Sequence, residues 1–420
     1  MSAEWLDAWQ RQLVLSKCQV WSLRLSNQVA GTPKFSMIIN KHVMRSTNEK
    51  QVLQQVINEG PISCSQISRN LSLNKVTVSD IYNQLLRAQF IKEIGCGVST
   101  KNGGRKPVMA ELNVNYGFVA SIDLSETAVK LMYSRLNGKI LHFQSFKTTD
   151  MTLTDVIDLI EDQLRNVDDY GTVHGLMGVA IALDGIIYEN KILKTPIKCL
   201  AHFDLAKYLR DKLRIPVMLE KKANLTAVFE RDFHNNEIFD NVVSIVVRDE
   251  IHAGIVADSR LYSGHEGEAG EVGTALLEDR TVENHMESAN DYASEKALWA
   301  KLKAIKHVDR LDLTAVKHDY INHDPEVTKV FDDFVYYLSK VVSNVSTAFA
   351  PDVVVLNTSV LEILPQLLTD LRNTTAKMSS PTRQVPIIAT KNVQSAALLG
   401  GASEIIHQAL GLESLKMHFS

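Results

Sequence analysis

Five side chains that can form hydrogen bonds follow one another along a short stretch of this 420-residue sequence. They are Asn74, Lys75, Thr77, Ser79 and Asn83. Amides, hydroxyls and an ammonium group bind base edges or phosphates when a helix lies in the DNA major groove. The alternative is an ordinary solvated helix face, where most polar helix positions lie. The stretch is therefore a candidate DNA-reading surface.

A second candidate for DNA contact is a basic, glycine-rich turn further along the chain. Arg105 and Lys106 directly follow two glycines within residues 102–107 (NGGRKP). Glycines favour tight turns, and a guanidinium group at the tip of a turn fits the narrow minor groove of A·T tracts. We therefore expect Arg105 to enter a minor groove beside the helix.

The elements around these residues follow the order of a winged helix-turn-helix domain. Gly60 and Pro61 end a first helix, and Ser63 with Gln66 predicts a capping box that opens a second. Asn74 is the candidate N-cap of a third helix. The predicted elements are helices at residues 48–59, 64–71 and 75–88 and wing strands at residues 90–94 and 108–112. Two helices joined by a tight turn and followed by a wing are typical of DNA-binding domains.

The overall charge of −4 conceals a basic segment on an acidic body. Residues 37–110 carry ten Lys/Arg and four acidic residues, a net charge of +6. Residues 1–36 add +2, so residues 111–420 carry −12. A basic segment of this kind favours nucleic acid as a partner, although chance clustering would give the same pattern.

Neither a membrane anchor nor a secretion signal is recognisable. The longest apolar runs, such as residues 176–183, are too short to span a bilayer, and no signal-peptide pattern opens the chain. The four cysteines are scattered without a CxxC pair, which argues against a disulfide framework and a cysteine-rich zinc site. We expect a cytoplasmic protein without a membrane partner.

From about residue 117 the pattern changes to α/β, in two halves that each begin with strands. The first half opens with three strands over residues 117–148, and the second with strands at residues 241–247 and 254–257. Long helices follow near residues 291–305 and 325–349. This arrangement predicts a two-lobed α/β domain with a ligand in the cleft between the lobes.

Three groups of residues resemble the ROK family of repressors and sugar kinases, and specifically its xylose-repressor branch. They are residues 60–63 (GPIS), 76–79 (VTVS) and 103–107 (GGRKP), then 261–264 (LYSG) and 269–273 (AGEVG), and finally 292–298 (YASEKAL). The resemblance covers about residues 40–410. It implies an actin-like (ribonuclease H-like) sugar-kinase fold, a homodimer, and repression relieved by a sugar.

The resemblance also implies that this chain lacks the chemistry of the family's kinases. Their sugar-binding Asn and general-base Asp correspond to Lys221 and Lys222, and a protonated lysine cannot accept a proton. Their glycine-rich phosphate turns correspond to residues 124–127, 248–253 and 357–358, where side chains would obstruct a phosphate. We therefore expect no catalytic residue, no enzyme activity and no cofactor.

The family's structural zinc site is not retained according to the same resemblance. Its His corresponds to Thr274, and its three Cys correspond to Thr281, Glu283 and Ser288. None of these side chains supplies an imidazole or a thiolate. We expect no metal.

Sugar contacts are implied to be partly retained. Glu271 matches a sugar ligand of the family, and a carboxylate that accepts two hydroxyl bonds suits a pyranose. Asn290 takes the place of a second acid and still binds hydroxyls. With Lys221 and Lys222 beside them, the pocket favours a different sugar or an anionic one, such as a sugar phosphate. The alternative is that the two lysines pair with nearby glutamates, Glu220 and Glu271 among them, and hold an empty cleft shut.

These observations together predict three segments and one leading function. Residues 1–43 are an extension without an assigned role, residues 44–113 a winged helix-turn-helix, and residues 114–410 an effector and dimerisation domain. The predicted function is repression of a carbohydrate-utilisation operon, with a double-stranded DNA operator and a small sugar as partners; only the branch resemblance favours xylose. Two alternatives stay open: a ROK-type sugar kinase with an accessory DNA-binding domain, and a DNA-binding protein whose effector domain only dimerises.

Overall fold

The computed structural model describes most of the chain from residue 47 onward. The described residues are 47–98, 106–201, 203–233, 239–378 and 384–412, together with Met417 and Phe419. The predicted extension at residues 1–43 and the wing-tip Arg105 lie outside them.

The first described unit is a three-helix module with a small sheet. Its elements are α1 (Thr47–Glu59), β1 (Ile62–Ser63), α2 (Cys64–Asn70), α3 (Lys75–Arg87), β2 (Ile91–Cys96) and β3 (Val108–Leu112). The strands form an antiparallel sheet in the order β1-β3-β2, so a short third strand joins the predicted two-stranded wing. This is the arrangement of a winged helix-turn-helix domain.

Ser63 and Asn74 both form the helix N-caps that the sequence predicts. Ser63 Oγ accepts a hydrogen bond from Gln66 N at 3.3 Å, and Asn74 Oδ1 accepts one from Val76 N at 2.8 Å. The predicted capping box is only half formed, because the Gln66 side chain bonds to side chains further along α2. The buried stripe of α3 consists of Val78, Ile81, Tyr82 and Leu85, as their helical spacing predicts.

The first lobe of the larger domain is a mixed sheet covered by two helices. Its elements are β4 (Phe118–Leu124), β5 (Ala128–Arg135), β6 (Ile140–Lys147), α4 (Leu153–Arg165), β7 (Leu176–Leu183), β8 (Ile186–Tyr188), β9 (Lys191–Lys194), α5 (Leu205–Leu213) and β10 (Val217–Lys221). The strand order is β10-β7-β4-β5-β6. Strands β4, β5 and β6 are antiparallel, whereas β4, β7 and β10 run parallel, so the carboxyl ends of these three strands meet at one edge.

The second lobe repeats this plan with more helices. Its elements are α6 (Lys222–Asp232), β11 (Val242–Val247), β12 (Ile251–Ala257), β13 (Arg260–Leu261), β14 (Leu276–Glu278), β15 (Met286–Ser288), α7 (Ala289–Ala293), α8 (Glu295–Lys306), α9 (Leu313–Ile321), α10 (Pro325–Phe349), β16 (Val353–Asn357), α11 (Ser359–Ile363), α12 (Leu367–Met378), β17 (Ile387–Ala389) and α13 (Ala396–Leu410). Its sheet has the order β13-β12-β11-β16-β17. The helix predicted near residues 291–305 is two helices, because Ser294 ends α7 and caps α8 by accepting a bond from Ala297 N at 3.0 Å.

Helices α6 and α13 pack against each other between the two sheets. Helix α13 contacts β4 and β7 of the first lobe, and α6 contacts β11 and β12 of the second. Gly400 permits this close approach, since a Cβ atom there would lie 1.8 Å from the Leu225 carbonyl oxygen. The helix pair therefore connects the lobes through backbone-to-backbone packing.

The winged module is joined to the first lobe through the ring of Tyr116. The Tyr116 ring lies 4.3 Å from the Phe90 ring of the module and 4.4 Å from the His174 ring of the lobe, measured between centroids. The Asn113 backbone N–H also donates to the Phe90 carbonyl at 2.8 Å. Within the part of the chain that the structure describes, no helix is both long enough and apolar enough to cross a membrane.

Candidate functional site

The outward side of α3 carries the polar residues singled out in the sequence. Lys75, Thr77 and Asn83 are exposed, and Ser79 is half-buried. Lys75, Ser79 and Asn83 are spaced four residues apart and so share one side of the helix. Asn74 is exposed as well, but its side-chain oxygen is already used to cap the helix. This surface is a candidate nucleic-acid interface.

On the wing, Lys106 is exposed just before β3 begins. Its side chain adds positive charge beside the module, as the sequence predicts. The location of Arg105 is not described, so its predicted minor-groove contact stays a prediction.

The second candidate site lies where the parallel strands of the first lobe end. Lys222 follows β10, Asp184 follows β7, and Asp123 lies near the end of β4. The Lys222 Nζ atom is 2.8 Å from Asp123 Oδ1 and 2.7 Å from Asp184 Oδ2. Burial alone would lower the pKa of Lys222, but the two carboxylates outweigh that effect and raise it. Lys222 is therefore a charged group held between two acids.

The neighbouring lysine reaches across the cleft to the second lobe. The Lys221 Nζ atom donates to the Ala269 carbonyl at 2.6 Å and lies 3.3 Å from Glu271 Oε1. The His252 Nδ1 atom is 3.2 Å from the other oxygen of the same carboxylate. Burial would raise the pKa of Glu271, but His252 and Lys221 together lower it. Both oxygens of Glu271 thus face protein partners.

The sequence allows the alternative that both lysines pair with nearby glutamates. The structure shows such a pair for Lys221 only. Lys221 pairs with Glu271, whereas Lys222 pairs with two aspartates that the sequence reasoning missed as partners. Asp184 had a usable signal in the sequence, because it directly follows the apolar run at residues 176–183, which forms β7 and pairs with β10 in the parallel sheet. Neutralised ammonium groups also remove the excess positive charge on which the expectation of an anionic sugar rested.

Asn290 is engaged in a structural hydrogen bond. Its Oδ1 atom accepts from Ile251 N at 2.7 Å, and Gly273 is close enough that a Cβ atom there would lie 2.0 Å from the same oxygen. The Asn290 oxygen is thus committed to the start of β12. Its amide nitrogen is a donor that could make the predicted contact with a sugar hydroxyl.

Side chains bond to one another at the positions that the resemblance matches to the kinases' glycine-rich phosphate turns. Arg248 donates to the Asn357 carbonyl at 3.0 Å and to Asn357 Oδ1 at 2.7 Å. Glu295 accepts from the Thr358 hydroxyl at 2.7 Å and from the Ser359 N–H and hydroxyl at 2.7 and 2.8 Å. The Arg248 guanidinium also lies 3.3 Å from Glu295. This network joins β11, β16, α8 and α11, and the sequence reasoning did not foresee it.

The positions that the resemblance matches to the family's zinc ligands form hydrogen bonds in local turns. The Thr274 hydroxyl donates to the Glu271 carbonyl at 2.7 Å, and the Thr281 hydroxyl donates to Asp279 at 2.7 Å. The Ser288 hydroxyl donates to Asp291. Among the described residues, no group of three or more His, Cys, Asp and Glu side chains is placed to hold a metal ion.

Comparison with known proteins identifies the family. The profile of the ROK family matches residues 119–409, which is more than half of the chain. The chain belongs to the ROK family. The family predicted from the sequence motifs is thereby confirmed, and the matched residues span both lobes and the α6–α13 pair.

The curated relatives of this ROK chain include two xylose repressors. It is 34% identical over 384 residues to the xylose repressor of Lactiplantibacillus pentosus, covering 91% of this chain and 98% of the relative. It is 32% identical over 378 residues to the xylose repressor of Staphylococcus xylosus, covering 88% and 97%. The similarity to both relatives extends over almost their whole length.

Solved ROK structures show the same fold. A ROK family transcriptional regulator described as a homologue of the Escherichia coli MLC protein superposes with a TM-score of 0.72, at 20% identity, over 87% of this chain and 97% of its own. A ROK family glucokinase from Streptomyces griseus superposes with a TM-score of 0.57, also at 20% identity, over 68% of this chain and 98% of its own. The predicted two-lobed kinase-like fold is therefore confirmed.

Proposed function

We propose that this ROK protein is a DNA-binding transcriptional repressor of a carbohydrate-utilisation operon, in particular one for xylose, and that a sugar relieves the repression. The observation that carries the proposal is the exposed polar side of α3, which belongs to a positively charged module. The two relatives named as xylose repressors support it over nearly the whole chain. Such a repressor acts in the cytoplasm, where its operator lies.

We assign a separate role to each of the predicted segments that has one. Residues 44–113 bind the operator, residues 114–410 bind the sugar and form a homodimer, and residues 1–43 have no assigned role. A dimer would place two copies of α3 one or two helical turns apart on a palindromic site. A homodimer of this kind would have two-fold symmetry, which is the commonest symmetry among soluble homo-oligomers.

In the proposed DNA complex, α3 lies in the major groove. Lys75 would neutralise a backbone phosphate, while Thr77, Ser79 and Asn83 would bond to base edges or phosphates. Asn74 would contribute through its amide nitrogen, since its oxygen caps the helix. On the wing, Arg105 would enter the minor groove with Lys106 beside it.

In the proposed sugar complex, the ligand competes with the protein's own ion pairs. Glu271 would accept hydroxyl bonds, and Asn290 would donate from its amide nitrogen. A sugar that bonds to Glu271 would compete with Lys221 Nζ, which lies 3.3 Å from Oε1, and Lys222 would add a second ammonium group to the site. Because Lys221 and Glu271 belong to different lobes, exchanging their contact for a sugar would change lobe closure. A sugar that prefers one closure state would shift the DNA-binding equilibrium.

We propose that the domain senses a sugar without phosphorylating it. Lys222, at the position of the kinases' general base, is a charged group between two carboxylates and cannot accept a proton. The Arg248–Glu295 network lies at the positions of the kinases' phosphate turns. A sugar kinase with an accessory DNA-binding domain is the enzyme alternative, and ATP turnover with a panel of sugars in a coupled assay would establish it.

A binding module that only dimerises is the other alternative, and the filled cleft favours it. The ion pairs of Lys221 and Lys222 already engage Glu271, Asp123 and Asp184, which are carboxylates that could accept hydroxyl bonds from a ligand. Thermal-shift measurements with neutral sugars and sugar phosphates distinguish a sugar sensor from a module that only dimerises. A rise in melting temperature with xylose supports the sensor, and no response to any sugar supports the module that only dimerises.

The experiment that tests the repressor is selection of duplexes from a randomised pool by the full chain. We expect enrichment of a palindromic sequence whose affinity falls steeply with salt. Failure to enrich any sequence over random duplex would overturn the proposed function.

A further inference from the structure

One apolar side chain is exposed among the polar ones at the leading end of α3. Val76 lies in the first turn of the helix with 68% of its surface exposed, between the exposed residues Lys75 and Thr77. Valine is a poor helix former, because its branched side chain loses rotamer freedom in a helix. Since Val76 is not packed into the core of the module, it contributes little to the fold at this position.

Isolated exposed apolar residues are common on protein surfaces, so exposure alone assigns no role. The position of Val76 on α3 is the additional evidence for a role. Val76, Asp80 and Asn83 share one side of α3 at spacings of four and three residues, and Asp80 and Asn83 are also exposed. Neither an isopropyl group nor a carboxylate binds a phosphate, and a carboxylate would be repelled by one. This side of α3 therefore suits base edges rather than the DNA backbone.

The major groove offers a single kind of apolar group on its base edges, the C5-methyl group of thymine. The first residues of a recognition helix are those that reach the base edges. We propose that Val76 contacts a thymine C5-methyl group and so requires thymine at one position of each half-site. This assignment rests on the proposed DNA-binding function and adds a determinant of sequence specificity that polar contacts alone do not provide.

The test uses uracil, which has the hydrogen-bonding groups of thymine without the methyl group. Each thymine of the duplex selected by the full chain is replaced by uracil in turn, symmetrically in both half-sites, and affinities are measured by fluorescence anisotropy. We expect a loss of about fourfold per half-site at one position, the value of one buried methyl group. At that position, Val76→Ala should discriminate between thymine and uracil duplexes less than the wild type does, because it lacks the two methyl groups of the valine side chain.

The matched control is Val173→Ala, since Val173 is another valine with 54% of its surface exposed, located in the larger domain. It should retain the full discrimination against uracil. Circular dichroism of Val76→Ala should show unchanged helix content, which separates lost contact from lost folding.

Two results would overturn the assignment of Val76 while leaving DNA binding intact. One is a wild-type protein that tolerates uracil at every position, and the other is a Val76→Ala variant that still discriminates as the wild type does. Failure of the full chain to select any duplex would instead overturn the proposed function and this assignment with it.

Discussion

At the scale of single residues, oppositely charged side chains in the cleft form ion pairs and neutralise one another. Lys222 stands at the position that the family resemblance matches to the kinases' general base, and the structure surrounds it with Asp123 and Asp184. A buried ion pair contributes little compared with an apolar replacement of both partners, but removing one partner leaves an uncompensated charge. Lys222 therefore stabilises the fold by compensating the negative charges of the two aspartates around it.

Lys222→Met should destabilise the protein by about 2 kcal/mol, because it leaves two facing carboxylates without their ammonium. Lys130, 3.7 Å from Asp123, and the partial exposure of Asp184 reduce the loss. Urea denaturation measures the change in the free energy of unfolding. Lys212→Met, which removes an exposed ammonium 3.8 Å from Glu161, is the control and should cost under about 0.5 kcal/mol. Equal effects of the two substitutions would contradict the role of Lys222.

Glu220 should make stability fall as the pH rises. Burial raises its pKa to about 7, with Glu404 adding to the shift and hydrogen bonds from Lys221 N and Asn224 opposing it. Because the folded state holds this proton more tightly than the unfolded chain, stability is lost between about pH 4.5 and 7. Glu220→Gln cannot lose a proton, so its stability relative to wild type should increase by about 2 kcal/mol from pH 5 to pH 8. A difference between the two proteins that stays constant with pH would exclude this effect.

At the scale of elements, α3 was predictable because its signals are local. Its N-cap Asn74 and the spacing of the apolar residues from Val78 to Leu85 lie within one short stretch, and both predictions are confirmed. The contact between Arg248 and Asn357 joins residues 109 positions apart, and no local periodicity encodes it. The same holds for Lys222 and Asp184, 38 residues apart, whose proximity depends on the pairing of parallel strands. The fold class was therefore accessible from the sequence, but the pairing of charges inside the cleft was not.

Asn74 serves the helix as well as the proposed interface, and two substitutions separate these roles. Asn74→Ala should lower stability by about 1 kcal/mol, since it removes the oxygen that accepts from Val76 N. Asn74→Asp keeps that oxygen and should retain the stability, yet weaken DNA binding about tenfold because its charge repels phosphates. Thermal unfolding and fluorescence anisotropy give the two readouts. DNA affinity unaffected by Asn74→Asp would place this residue outside the interface.

Lys75 and Arg105 should dominate the electrostatic part of DNA binding. Each neutralised phosphate contributes about 0.9 to the slope of log affinity against log salt concentration. The double variant Lys75→Ala, Arg105→Ala should therefore lower that slope by about one for the phosphate contact of Lys75, and further for the positive charge that Arg105 brings into the minor groove. Lys198→Ala, in the larger domain, is the control and should leave the slope unchanged. An unchanged slope in the double variant would exclude both contacts.

At the scale of the whole molecule, the apolar core connects the cleft with the DNA-binding module. Lys221 stands at the start of α6, and Leu225 and Phe229 of that helix share one buried cluster with α13 and with the helices of the module. Tyr116 adds a direct contact between the module and the first lobe. A change in lobe closure that moves α6 would therefore act on the same core that positions α3.

The most direct test is the affinity of the full chain for its selected duplex at fixed salt, measured by fluorescence anisotropy with and without D-xylose. We expect xylose to weaken binding about tenfold or more, a typical coupling between two sites, without ATP and without phosphorylation of the sugar. Unchanged affinity at saturating xylose, or conversion of xylose to a phosphate ester in the presence of ATP, would contradict a sugar-sensing repressor.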